Sequence, residues 1–99
     1  MGAFIHPEVK IGNGCFIFCG AIVAHNSNVG DYVLLAGGVT FGSRVNIGQF
    51  SLIGVGSNIS PYISIGKKVI VGAGACVISD LPDNVIAVGV PAKIIKQNN

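Results

Sequence analysis

The chain has 99 residues and a net charge of +2, with 51% hydrophobic residues, 10% charged residues and 15 glycines. That length allows one domain, near the size where a two-layer core is only marginally stable, and the apolar excess predicts self-association. The small charge, with basic residues not interleaved with aromatics, argues against a nucleic-acid binder. Gly, Asn, Ser or Asp interrupts every apolar run well short of the roughly 18 residues that a spanning helix needs, which predicts a soluble protein. The opening Met1 to His6 breaks at Pro7, unlike a secretory leader, so a cytoplasmic location is expected. Cys15, Cys19 and Cys76 are odd in number and form no C-x-x-C pair; small buried or surface thiols are expected, with neither a disulfide framework nor a metal site.

Stepping by six from Ile5 gives Ile5, Ile11, Ile17, Val23, Val29, Leu35, Phe41, Ile47, Ile53, Ile59, Ile65, Val71 and Val77, all apolar. A repeat this regular sets the architecture before local propensities are weighed. Two residues before each stands a small or β-branched residue, such as Val9, Cys15, Ala21, Ser27, Val33, Ser51 and Ser57. A spacing of two puts both on one strand face. Gly or Ala mostly follows, then turn formers such as Asn13, Asp31 and Ser43, so each hexad reads as a short strand and a turn. Three hexads close a triangular coil, and residues eighteen apart stack at about 4.8 Å. The prediction is an all-β parallel β-helix of about four coils over residues 1–80, with 81–99 as a C-terminal tail.

Outward positions then sort into columns. Phe16, Leu34, Leu52 and Ile70 make an apolar face that predicts packing against a symmetry mate, whereas Lys10, Asn28, Asn46 and Ser64 make a polar face turned to water. The corners carry Pro7, His25, Ser43, Pro61 and Ser79 in one column, Asn13, Asp31, Gln49 and Lys67 in another, and Gly20, Gly38, Gly56 and Gly74 in the third. The glycine corner admits two readings, which are compatible: turns that require positive φ, or a bare backbone edge that a ligand approaches closely.

These hexads, followed by Val69-Ile-Val-Gly-Ala-Gly-Ala-Cys-Val77, Asp80-Leu-Pro-Asp-Asn84 and Gly89-Val-Pro-Ala-Lys93, resemble the hexapeptide-repeat acyltransferases over nearly the whole chain. Residues His25 to Val45 most resemble the sialic-acid and UDP-aminosugar acetyltransferase branch. The resemblance implies a left-handed helix, where sequence physics alone favours right-handed crossovers. It also implies a homotrimer with acetyl-CoA bound between subunits, and a catalytic histidine at a coil corner. On that basis His25 is the general base, a role suited to a side chain whose ordinary pKa lies near neutrality. His6, in the Ile-His-Pro-Glu opening common in such repeats, is read as a structural or edge residue.

Where the family usually has an acidic residue after the base, this chain has Asn26; Glu8, eighteen residues before Asn26, is a substitute within reach of His25, or else a bland surface charge. Ser43 stands where the branch often has glycine, which keeps a backbone N–H for the acetyl group. Leu34 stands where sugar-modifying members place a polar residue. The N-terminal domain that holds a nucleotide sugar is missing, so either the acceptor differs or the chain is a truncated relative. Coenzyme contacts are expected from Gly56, Ala73, Gly74 and Ala75 along the glycine edge, and from Pro91, Ala92 and Lys93 in a tail that the resemblance folds back along the coenzyme. Lys67 and Lys68 are either solvated charges or, with Lys93 and Lys96, partners for its phosphates.

The leading expectation is an acetyl-CoA-dependent acyltransferase acting on an amine or hydroxyl of a small, sugar-like acceptor. A non-catalytic trimeric binding or scaffold module is the rival, motivated by Asn26, Ser43 and the missing domain. A zinc-dependent enzyme of the γ-carbonic anhydrase type needs three histidines, and the chain has two.

Overall fold

The computed structural model describes residues 2–98. The hexads form a parallel β-helix with three walls. The first wall stacks Phe4–Ile5, Ile22–Val23, Thr40–Phe41, Asn58–Ile59 and Cys76–Val77. The second stacks Lys10–Ile11, Asn28–Val29, Asn46–Ile47 and Ser64–Ile65. The third stacks Phe16–Ile17, Leu34–Leu35, Leu52–Ile53, Ile70–Val71 and Val85–Val88, with Lys93–Gln97 antiparallel at its end. Partners such as Phe16↔Leu34 and Leu34↔Leu52 lie eighteen residues apart, as the repeat predicts. Five strands in the first wall mean four turns between Phe4 and Val77. Among the described residues no helix is long and apolar enough to cross a membrane.

The inward column fills the prism. From Val23 to Val77 every sixth residue is at most 4% exposed, because each is covered above and below, Val77 by the returning residues 89–92 in place of a further coil. Ile5 and Ile11 are 41% and 36% exposed; they line the first coil, which has a neighbour on one side only. Three buried serines sit among these aliphatics without an unmet polar atom: Ser27, Ser51 and Ser57 donate to the carbonyls of Gly42, Gly66 and Gly72, at 3.3, 2.8 and 2.9 Å. A buried hydroxyl costs little when it is so bonded.

Each corner is a two-residue turn whose second residue has positive φ, for example Asn26 at 59°, Tyr32 at 57° and Gly38 at 72°. That residue donates its N–H to the carbonyl of the first turn residue one coil earlier, as in Tyr32 to Asn13 at 2.8 Å and Gly74 to Val55 at 2.7 Å. At the second corner the Asp31 and Asp83 carboxylates also accept the N–H groups of Asn13 and Lys67, both at 2.8 Å.

The winding does not stop at residue 80. Leu81 bridges Ile65 in the second wall, and Ile86 pairs with Ile70 in the third. Both steps span sixteen residues, so the first corner of the last coil is two residues short. Residues 81–88 are therefore wall, and the expected tail proper begins near Gly89.

Two kinds of glycine follow from the stacking. A Cβ on Gly48 would lie 2.6 to 2.7 Å from backbone atoms of Gly66 and Lys67, whereas one on Gly74 would meet nothing within 4 Å. Gly48→Ala is thus expected to force the coils apart and lose about 1–3 kcal/mol or more by overpacking. Gly74→Ala meets only the left-handed backbone cost of roughly 1–2 kcal/mol. Denaturant midpoints with unchanged m-values would check this order, and equal losses would contradict it.

Candidate active site

His25 is the first residue of a first-corner turn and is exposed. Asn26 follows at φ 59°, a conformation that Asn tolerates better than most side chains. The His25 carbonyl accepts the Arg44 N–H at 2.9 Å, which sets residues 43–44 directly over residues 25–26. The side chain brought to the His25 imidazole is His6, with ring centroids 4.6 Å apart and planes tilted by 51°. Position 6 is nineteen residues before position 25, so it occupies the adjoining column one coil earlier; that offset was readable but is not the straight eighteen-residue step. Glu8 takes the place under Asn26, at φ 63°, yet among the described residues no hydrogen bond or ion pair joins its carboxylate to His25. Ser43 stacks over His25; its carbonyl accepts from Tyr62 at 3.0 Å, and its N–H takes no part in that ladder.

The third corner carries Cys19-Gly20, Gly37-Gly38, Val55-Gly56 and Ala73-Gly74, with φ between 71° and 78° at the second residue. The same backbone holds Glu8, Asn26, Arg44 and Tyr62 at the first corner and Tyr32, Phe50 and Lys68 at the second, at φ of 56° to 66°. Positive φ therefore does not by itself demand glycine here. Gly56 and Gly74 have open space where a Cβ would stand; the edge is bare as well as left-handed. The glycine N–H groups are spent on the axial ladder, which leaves the N–H groups of the first turn residues, Val55 and Ala73, outside it. Val55 was not among the expected contacts, although it lies eighteen residues before Ala73 in the same column.

Of the expected coenzyme contacts, Ala73, Gly74, Pro91, Ala92 and Lys93 gather at one end of the prism. Ala92 donates to the Cys76 carbonyl at 2.8 Å, and Cys76 donates to that of Gly89 at 3.1 Å, which lays residues 89–92 beside the last coil. Gly56 lies one coil below Gly74 on the same edge. Ala75 does not join them as a side chain. It is fully buried, donates to Gly72 at 3.3 Å, and accepts from Asn58 at 2.9 Å. His25 and Ser43 stand on the first corner, with the whole first wall between them and the glycine edge.

The third wall presents Phe16, Leu34, Leu52 and Ile70 in one registered column, with Phe16 66% exposed. Tyr32 and Phe50 stack beside it at 5.4 Å. The second wall instead holds a shallow trough lined by Lys10, Asn28, Asn46, Asp31, Lys67 and Asp83, among others, which includes neither His25 nor the glycine edge.

Residues 2–43 match the family described as bacterial transferase hexapeptide (six repeats). The maltose O-acetyltransferase of Clostridium difficile 630 superposes with a TM-score of 0.94 at 30% identity, over 100% of this chain and 65% of that one. A serine acetyltransferase from Brucella abortus strain S19, solved with coenzyme A, gives 0.92 at 34% identity over 96% and 42%. A variant of perosamine N-acetyltransferase from Caulobacter crescentus, solved with CoA and GDP-perosamine, gives 0.76 at 32% identity over 97% and 54%. No curated protein matches the chain in sequence. Residues 2–43 thus carry the hexapeptide repeat of that family, and the chain as a whole has the parallel β-helix of the left-handed type found in these acetyltransferases. It spans 42% to 65% of the length of these three structures. Shape follows the maltose and serine enzymes more closely than the perosamine one, so it does not single out the aminosugar branch.

Proposed function

We propose that the chain is the coenzyme- and acceptor-binding body of an acetyl-CoA-dependent acetyltransferase, acting on a hydroxyl or amine of a small acceptor. The observation that supports it most is the third corner, where glycine is kept at each step although the same turn accepts side chains at both other corners. A bare strip beside N–H groups outside the axial ladder suits an extended chain of amides, which is what a pantetheine arm offers. Three structural relatives with acetyltransferase names, two of them solved with coenzyme A, point the same way.

When bound, acetyl-CoA supplies an activated acetyl thioester. His25 takes the proton from the acceptor O–H or N–H as that atom attacks the acetyl carbon, and returns a proton to the departing thiolate. The Ser43 N–H, one coil on, donates in this reading to the charge that develops on the acetyl oxygen. Pro91, Ala92 and Lys93 border the coenzyme where it leaves the glycine edge, and Lys93 offers positive charge for a phosphate. Glu8 orients His25 when its side chain swings up from the coil below.

His25 and the glycine edge flank opposite sides of one wall, so a site that uses both is completed by a second copy. The column from Phe16 to Ile70 is the face by which copies would pack into a trimer. The thiols Cys15, Cys19 and Cys76, all free, suit a reducing cytoplasm.

A scaffold without catalysis is the second reading. The packing of His25 against His6, with no carboxylate on its imidazole among the described residues, favours it.

His25→Ala is expected to lower thioester turnover by about 10²- to 10⁴-fold, the usual contribution of a general base, while acetyl-CoA still raises the unfolding temperature. Coenzyme binding with no turnover in the parent protein, across hydroxyl and amine acceptors, would select the scaffold. Glu8→Gln should reduce turnover without weakening coenzyme binding; unchanged rates would remove Glu8 from the site. Leu52→Glu should shift the mass measured by light scattering from trimer to monomer, and a trimer that survives would place the interface elsewhere.

A further inference from the structure

The first corner carries one cation that acetyl transfer as such does not use. Directly beside His25 runs the column Glu8, Asn26, Arg44 and Tyr62, each at positive φ between 59° and 66°. Arg44 is the only arginine in the chain. Among the described residues its guanidinium makes no hydrogen bond and no ion pair, and the side chain is exposed. No lysine shares the first corner. Lys10 is on the second wall, Lys67 and Lys68 are on the second corner, and Lys93 and Lys96 are on the closing strand.

We infer that Arg44 is a specificity residue that holds an anionic group, a carboxylate or a phosphoryl, on the acceptor. This rests on the reading of His25 as the reacting base. The 2.9 Å bond from Arg44 N–H to the His25 carbonyl fixes the two backbones one coil apart, about 4.8 Å. An extended arginine is longer than that step, so its fork is long enough to reach the space over His25. The coenzyme is the wrong owner for this charge. Its phosphates lie at the far end of the pantetheine arm from the thioester, so a cation next to the base meets the acceptor instead. A planar guanidinium with paired N–H donors matches a carboxylate or phosphoryl in two parallel bonds.

The test uses matched pairs of small probes with the full-length chain: serine against serinamide, and glucosamine 6-phosphate against glucosamine. Titration calorimetry reads binding in the presence of coenzyme A, and steady-state assays with acetyl-CoA read transfer. The parent should prefer the anionic member of at least one pair, and which pair it is separates carboxylate from phosphoryl. Arg44→Gln should weaken that probe roughly 10- to 100-fold, the range for a charge-assisted bond, as a rise in KM. The neutral member, the KM for acetyl-CoA and the unfolding temperature should stay where they were. Arg44→Lys should recover part of the loss, since it restores the charge without the fork. Equal weakening of neutral and anionic probes, or no preference for either anionic member, binding of none included, overturns the inference. Calorimetric preference that depends on Arg44 without any transfer would keep Arg44 as the anion-holding residue while the acetyltransferase reading, and with it the acceptor role, fails. Transfer abolished by His25→Ala but blind to acceptor charge would do the reverse.

Discussion

Coil is held to coil by hydrogen bonds that run along the axis, and every other feature depends on keeping them in register. Up to the last coil the strand residues pair across eighteen positions in all three walls, and the turns repeat the pattern, with second residues from Tyr32 to Gly74 donating to the first residue one coil down. In such a stack a coil cannot shift by one residue without turning its inward aliphatics to solvent. The constraint explains why glycines such as Gly30, Gly48 and Gly54 recur just after the inward residue. The backbone of the next corner lies where their Cβ atoms would be, 2.7 to 2.8 Å away at Gly30 and Gly54. Tight axial stacking, and not flexibility, is what those glycines serve.

The period of six made much of this readable in advance. Once Ile5 to Val77 were counted, the walls, the buried column, the apolar face and the placing of His25 on a corner followed from arithmetic, because in a solenoid distance along the chain converts directly to position in space. What arithmetic missed came from the ends and from the turns. Ile5 and Ile11 fit the period as well as Ile53 does, yet the first coil leaves them exposed for want of a neighbour. The sixteen-residue last coil breaks the step, so Leu81 lands in a wall where a tail was expected. Ala75 shares a motif with Ala73 and Gly74 but turns inward, since it occupies the strand position and they occupy the corner.

The site was less readable than the fold for a related reason. A column predicts which backbones stack, but side chains lean into neighbouring columns. Glu8 stacks correctly beneath Asn26, but the ring against His25 comes from His6, one column over. The role proposed for His25 comes from the family resemblance, and no feature of the hexads would have supplied it. The proposed base and the proposed coenzyme edge also stand on different corners, with the first wall between them.

The three corners share one backbone and differ only in what stands on it, and that comparison carries more than any of them alone. Positive φ costs a side-chain-bearing residue roughly 1–2 kcal/mol, and the third corner avoids that cost at Gly20, Gly38, Gly56 and Gly74. If turn stability were the sole pressure, the first and second corners would have become glycine too. They instead keep Glu8, Arg44 and Tyr62 at one edge and Tyr32, Phe50 and Lys68 at the other. Tyr32 is built into its place, since a Cβ on Gly14 would strike its ring at 2.5 Å and Phe50 stacks on its other side. No comparable packing holds Arg44 among the described residues. Arg44 is exposed and unpaired among the described residues and makes no contact that supports the coil, so under the role proposed for His25 its charge is available to whatever approaches that corner from outside.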